Sequence, residues 1–246
     1  MRQVHKFIQE WLFYPKAPPI TVGAMTASDT LSRRRSIRAF RPDPVPADVL
    51  DRILAAAQEA PSWSNTQPYR LGIAQGALRD RLAAELTAAY DAGSKELSPE
   101  FEMPGAYPPE LQLRRQATGY GLYETLGIAR EDRAARNAQM RRNFEFFDAP
   151  VAMFVFVHEA LGTYAALDAG VFLQSLMLAA VDEGLGTCAE GALALYSLPI
   201  RRHFAVPEGY KLLCGLSLGY PADDPVNAFR PARKGRDDLL VPAIGG

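Results

Sequence analysis

The stretch Val151-Ala-Met-Phe-Val-Phe-Val157 is apolar at every position, and this constrains the fold more than any other feature of the chain. Side chains of a β-strand alternate between its two faces, so a strand with no polar face has to be buried on both. Most of the remaining pattern is helical. Residues 47–60 carry Val49, Leu50, Ile53, Leu54 and Ala57 at helical spacing and stop before Pro61. Residues 77–89 and 164–183 read the same way, the latter closed by Gly184, and 110–126 and 131–147 read as two helices separated by Gly127. Thr26 to Thr30 predicts a helix entry, and 199–205 a short helix. Further strands are expected only at 69–74, 187–192 and 211–219. Few strands without regular strand–helix alternation predict an α+β fold, a central mixed or antiparallel sheet flanked by helices. The phosphate-binding glycine patterns GxGxxG and GxxxxGK[ST] are both absent.

The 246 residues carry a formal net charge of -1, which gives no general attraction to nucleic acid or anionic lipid. Residues 165–181 are the longest mostly apolar stretch, but Asp168 and Gln174 interrupt them, predicting a core helix and no membrane span. Cys188 and Cys214 are the only cysteines. They form no CxxC pair or disulfide framework, so a reducing, cytoplasmic setting is expected. Residues 1–24 read as a peripheral extension without a secretory signal, and 25–246 as one domain. Residues 91–109, rich in proline and glycine, predict a long irregular connection.

Two segments are candidates for chemistry. Five arginines fall within Arg33-Arg-Arg-Ser-Ile-Arg-Ala-Phe-Arg41. Such a run is often a solvated face or a nucleic-acid patch, but here apolar Ile37 and Phe40 are interleaved and the rest of the chain is not basic. Arginines partly desolvated in this way suit a phosphate or another dianion. The second segment, Pro61-Ser-Trp-Ser-Asn-Thr-Gln-Pro68, crowds Ser62, Ser64, Asn65, Thr66 and Gln67 between a helix end and a strand start. It reads as a polar loop able to hydrogen-bond the heteroatom edge of a flat ligand. His5, His158 and His203 lie in unrelated contexts. No nucleophile–histidine–acid set or metal-ligand cluster is visible, so no side chain is assigned as the catalytic group and no metal is expected.

Together, Arg34-Arg-Ser-Ile-Arg-Ala-Phe40 and Pro61 to Pro68 resemble the nitroreductase family of FMN enzymes. Gly184-Leu-Gly-Thr-Cys-Ala-Glu-Gly191, Gly219-Tyr-Pro221 and Phe229-Arg-Pro-Ala-Arg233 extend the resemblance over residues 26–242. It is closest to the branch of nitrobenzoate and other nitroaromatic reductases, through Tyr107-Pro-Pro-Glu-Leu111 and Arg141-Arg-Asn-Phe-Glu-Phe-Phe147.

The resemblance implies FMN as cofactor, NADH or NADPH as electron donor, and a homodimer with two shared flavin sites and exchanged C-terminal segments. Arg34, Arg35 and Ser36 would hold the ribityl phosphate and flavin edge. Arg38 would stand beside flavin N1 and O2, where negative charge collects on reduction. Pro61, Ser62, Trp63, Ser64 and Asn65 would border the ring, and Glu190 and Gly191 would bring a backbone N–H to N5. Arg230 or Arg233 would be the C-terminal phosphate ligand. Trp63 departs from the small residue expected between the two serines; it is either a lid over the ring or a packing residue. Trp63, Tyr107, Tyr120 and Tyr123 are candidates for the substrate wall, with Phe147 assigned to the core in preference. The implied reaction is ping-pong hydride transfer to a nitroaromatic compound, giving nitroso and then hydroxylamine products, since in such enzymes the cofactor carries the chemistry. A quinone, enone or halogenated phenol as acceptor is an alternative, and so is a non-enzymatic flavin-binding protein.

Overall fold

The computed structural model describes residues 26–244; the extension at 1–24 lies outside them. In chain order the elements are α1 (Ala27–Arg33), α2 (Ala47–Gln58), β1 (Tyr69–Gln75), α3 (Gly76–Ala92), α4 (Pro109–Thr125), α5 (Arg133–Arg141), β2 (Val151–His158), α6 (Thr163–Asp182), β3 (Gly186–Glu190), α7 (Ser197–Arg201) and β4 (Tyr210–Gly219). The four strands form one sheet in the order β1-β2-β4-β3, antiparallel throughout. The fold is α+β.

The apolar run is β2, with a neighbour on each side and Val151 to Val157 all buried. Its alternation separates two cores. Val151, Met153, Val155 and Val157 face Leu50, Ile53 and Ala57 of α2 and Phe172, Leu173 and Leu176 of α6. Ala152, Phe154 and Phe156 face Leu82 and Leu86 of α3 with Phe144, Phe146, Phe147 and Leu193. At roughly 1.5–3 kcal/mol for each large side chain removed from water, this central strand contributes to both halves of the molecule. Helix α6 is long and apolar enough by length and composition to cross a membrane. Its buried stripe, Ala165, Ala169, Phe172, Leu173, Leu176 and Ala180, packs instead against the sheet and α2.

Local chemistry sets several boundaries. Thr26 and Asp29 form a reciprocal capping box at α1: the Thr26 hydroxyl accepts the Asp29 N–H at 3.1 Å, and the Asp29 carboxylate accepts the Thr26 N–H at 3.1 Å. Asp132 caps α5 by accepting the Ala135 N–H at 2.9 Å.

The helix expected over 131–147 is shorter than its pattern. It ends at Arg141, and Arg142–Asp148 is a 3-10 segment in which Phe146, Phe147 and Asp148 adopt positive φ of 57°, 51° and 67°. Phe144, Phe146 and Phe147 are all at most 1% exposed. The left-handed turn brings adjacent aromatic rings into one core, where a regular helix would splay them by about 100° per residue. Arg79 holds this turn, donating to the carbonyls of Glu145 at 2.6 Å and Ala149 at 2.9 Å. Phe147 is therefore core and not pocket wall.

Candidate active site

The arginine segment leaves α1 at Arg34 and runs beside the sheet. Ser36 bridges Thr187 of β3 in parallel, and the Ile37 N–H donates to the Thr187 carbonyl at 2.9 Å. Asn227 closes the segment from the other side. Its Oδ1 accepts the N–H groups of Arg38 at 2.8 Å and Ala39 at 3.2 Å. Its amide donates to the carbonyls of Ala39 at 2.8 Å and Ala222 at 3.0 Å. With 3% exposure and four hydrogen bonds, Asn227 clips the C-terminal stretch onto the arginine stretch. No feature of the sequence singles it out.

This places Arg34, Arg35, Ser36, Arg38, Arg230 and Arg233 around one cavity of about 360 Å³, closed by Leu31, Ser32, Phe229 and Pro231. Both C-terminal arginines, Arg230 and Arg233, border it. Burial depresses the pKa of the Arg34 guanidinium, as do the neighbouring charges of Arg233 and Arg230. Among the described residues, Arg34, Arg35, Arg38, Arg230 and Arg233 form no ion pair with a carboxylate. Clustered guanidinium groups without acids are a receptor for a compact anion such as a phosphate.

Glu190 ends β3, and Gly191 opens the 3-10 segment that follows. Glu190 is 2% exposed and hydrogen-bonded to the Ser217 hydroxyl, while its Oε2 has no partner among the described residues. Burial pushes its carboxyl up to about 8, against the opposing pull of the Ser217 hydrogen bond and the Arg38 charge. The Glu190 side chain is thus core, and what this corner offers a ligand is backbone. A side chain placed on Gly191 would meet nothing within 4 Å, so its backbone borders open space. Burial also pushes the Cys188 thiol up to about 12, which removes it as a nucleophile near neutral pH.

The polar loop lies elsewhere in the same chain. Trp63–Asn65 is a 3-10 turn, and its Trp63 N–H donates to both carboxylate oxygens of Asp168 on α6 at 3.0 and 3.1 Å. Trp63 is 56% exposed, so its indole does not fill the core under the loop. Ser62 Oγ accepts the Gln67 N–H, and Gln67 donates from its amide to Asn65, both at 3.0 Å. Pro61, Ser64 and Asn65 are exposed and Ser62 partly so. None of the loop residues lines the arginine cavity. Arg35 borders a recess with Val181, Gly184 and Gly186 near the C-terminal end of α6, whereas the loop is held at Asp168. From Asp168 to Asp182 is fourteen residues of helix, about 21 Å of rise.

The tyrosines are also apart from the cavity. Tyr107 precedes α4, and Tyr120 and Tyr123 lie on it. Arg115 sits over the Tyr107 ring at 5.3 Å and Arg130 over Tyr120 at 4.1 Å. Helix α4 has no buried residue; it approaches Phe229 at Gly121, where a Cβ would come within 3.0 Å of that ring.

Comparison with known proteins adds to this geometry. Residues 31–220 match the model of the nitroreductase family. The chain is 36% identical to the nitroreductase NfnB of Mycolicibacterium smegmatis over 224 residues, covering 90% of this chain and 94% of that one. It is 33% identical over 208 residues to the 4-nitrobenzoate reductase of Pseudomonas putida, covering 83% and 89%. Among solved structures, the FMN and NADPH-dependent nitroreductase NfnB from sphigopyxis sp. strain HMH superposes with a TM-score of 0.85 at 34% identity, covering 89% of this chain and 99% of that one.

Proposed function

The chain belongs to the nitroreductase family, and from that premise we propose that it is an FMN-dependent enzyme reducing nitroaromatic compounds with NAD(P)H. The observation that carries this reading to particular residues is the cavity ringed by arginines that have no acid partner among the described residues. Its cationic donor set fits a ribityl phosphate, and the open backbone at Gly191 fits a flat ring.

When bound, FMN would supply the two-electron carrier between NAD(P)H and the acceptor. The protein's part is binding, orientation and electrostatics. Arg34, Arg230 and Arg233 would hold the phosphate, with Arg35 and Ser36 at the flavin edge. Arg38 would set a fixed positive charge beside the ring's N1 and O2. Gly191 would offer its N–H toward N5, and Glu190 anchors that corner in the core through Ser217. Each round consumes one NAD(P)H and one proton. The nitro group loses an oxygen as water to give the nitroso compound, and a second round adds two hydrogens to give the hydroxylamine. Water supplies the protons.

The working unit is a homodimer, with each flavin shared between two copies. Two features support this. Trp63, Ser64 and Asn65 line no part of the cavity formed by Arg34 and Arg38 in their own chain and are held toward the other end of α6, so a second copy would have to supply that loop. The tail leaves Leu239, Leu240, Val241 and Ile244 at least 56% exposed, a stretch suited to wrapping around a neighbour. Two unbridged thiols accord with a cytoplasmic setting.

The test is anaerobic. NADPH should bleach the flavin absorbance of the purified protein, and 4-nitrobenzoate should restore it with formation of the hydroxylamine. A flavin that NADPH and NADH both leave oxidised, or that no nitroarene reoxidises, would overturn the proposal.

A further inference from the structure

The loop that carries Trp63 is strained and held. Ser64, Asn65 and Gln67 adopt positive φ of 49°, 54° and 46°. None is glycine, and such backbone persists only where its surroundings enforce it. The 3-10 turn has no side-chain cap of its own; the acceptor for its first N–H comes from α6. That acceptor, Asp168, is 4% exposed and has no cationic partner within ion-pair distance among the described residues. Both its oxygens address the Trp63 N–H. One helical turn earlier, on the same face of α6, Tyr164 lies against the indole, with ring centroids 4.6 Å apart and planes inclined at 44°. Trp63 and Tyr164 are 56% and 50% exposed. An aromatic gripped at its backbone and at its ring, yet contributing nothing to either core, is fixed for something outside its own chain.

We propose that Asp168 and Tyr164 are positioning residues, a clamp that sets the Trp63 indole as a rigid wall of the acceptor pocket and so selects nitroarenes by size. The inference rests on the reading that this loop borders the flavin held by a second copy. Asp168 contributes through a charge-assisted hydrogen bond that offsets the left-handed backbone, and Tyr164 limits the rotation of the indole by contact. With the clamp broken, the loop relaxes toward ordinary turn geometry and the wall becomes mobile.

The experiment uses the FMN-loaded enzyme and reads the ratio of kcat/KM for nitrobenzene to that for a bulky nitronaphthalene. Asp168→Ala and Tyr164→Leu should each shrink this discrimination by about two- to tenfold, the range of aromatic pair energies. Asp168→Asn, which keeps an acceptor oxygen, should restore most of it. Trp63→Ala should flatten the ratio equally, and combining it with Asp168→Ala should add nothing further. Equal loss on both acceptors, or additive effects in the double variant, overturns the clamp. If Asp168→Ala fails to fold, Tyr164→Leu decides alone, because that side chain is exposed, and unchanged selectivity in it overturns the proposal. A second readout is independent of the reaction. In a Trp11→Phe background Trp63 is the only tryptophan, and its anisotropy, excited to the red of tyrosine absorption and read in the tryptophan emission band, should fall in Tyr164→Leu and Asp168→Ala. Unchanged anisotropy in both sinks the clamp even if the enzyme reduces nitroarenes. Lowered anisotropy in an enzyme inert to every nitroarene leaves the clamp standing as a hold on Trp63, overturns its role in selecting nitroarenes, and faults the proposed function.

Discussion

Ile37 lies so close to Gly186 that no side chain fits between them: a Cβ on Gly186 would overlap Ile37 Cγ1 and meet Pro221 Cγ at 3.0 Å. The glycine at the start of β3 is what lets the arginine segment lie against the sheet, with Ser36 paired to Thr187 one residue on. Gly186→Ala should push Ile37 outward and carry Arg35 and Arg38 with it. The expected result is a stability loss of about 1–3 kcal/mol in thermal melts, together with weaker FMN binding by flavin titration. A variant that binds FMN as tightly as the parent would uncouple this contact from the site.

Arg34→Ala should weaken FMN binding more than it weakens folding. The guanidinium is half-buried among Arg230 and Arg233, and a charge-assisted hydrogen bond lost there costs about 1.5–3 kcal/mol, or roughly ten- to one-hundred-fold in Kd. In the absence of flavin the same change should raise the melting temperature slightly, since it removes a repelling charge. Equal Kd values for the two proteins would take Arg34 out of the phosphate site.

Glu190 predicts a pH dependence of stability. Its carboxyl is raised by burial to about 8 in the folded protein, from an ordinary value of 4.5. Between these values the folded state holds a proton that the unfolded chain has released. Stability should therefore fall as pH rises through that interval and level off above about 8. Glu190→Gln keeps the shape and the Ser217 partner but cannot ionise. Its urea midpoint should lose this slope and exceed the parent's at pH 8–9, by a margin of order a few kcal/mol. Parallel midpoint curves across pH 5–9 would contradict the buried, neutral carboxyl.

Removing residues 235–246 deletes Leu239, Leu240, Val241 and Ile244 while sparing Asn227 and Arg233. Light scattering should report a smaller or readily dissociating particle, with flavin content reduced in step. A flavin-loaded monomer would defeat the shared site; an undisturbed dimer would remove the tail from the interface.

Much of the architecture could be read from residue patterns because burial leaves a periodic trace. The apolar run of β2 announced two covered faces, and α2, α3 and α6 showed their buried stripes. The segment after Arg141 was read as helix because periodicity carries no information on the sign of φ, and there the need to bury Phe144, Phe146 and Phe147 together prevailed. The arginine recess was visible because five like charges interleaved with Ile37 and Phe40 are unusual. Asp168 and Asn227 were not visible. Each works by accepting backbone N–H groups from segments 105 and 189 residues away in sequence, and nothing local distinguishes such a residue from any other polar one. Whether Trp63 packs inward was likewise undecided by sequence, because its burial depends on where α6 lies.

Helix α6 grips a different segment at each end: Asp168 holds Trp63, and Asp182 accepts the Thr30 hydroxyl at 3.0 Å beside the start of the arginine segment. The helix therefore works as a ruler graduated in residues. Deleting one residue between these two positions would shorten it by only about 1.5 Å but turn one grip by about 100° relative to the other. Side chains along its middle can change within the limits of packing, whereas its length has no such freedom. Insertions and deletions in this chain should thus be confined to exposed segments such as 102–106, where neither phase nor span is being measured.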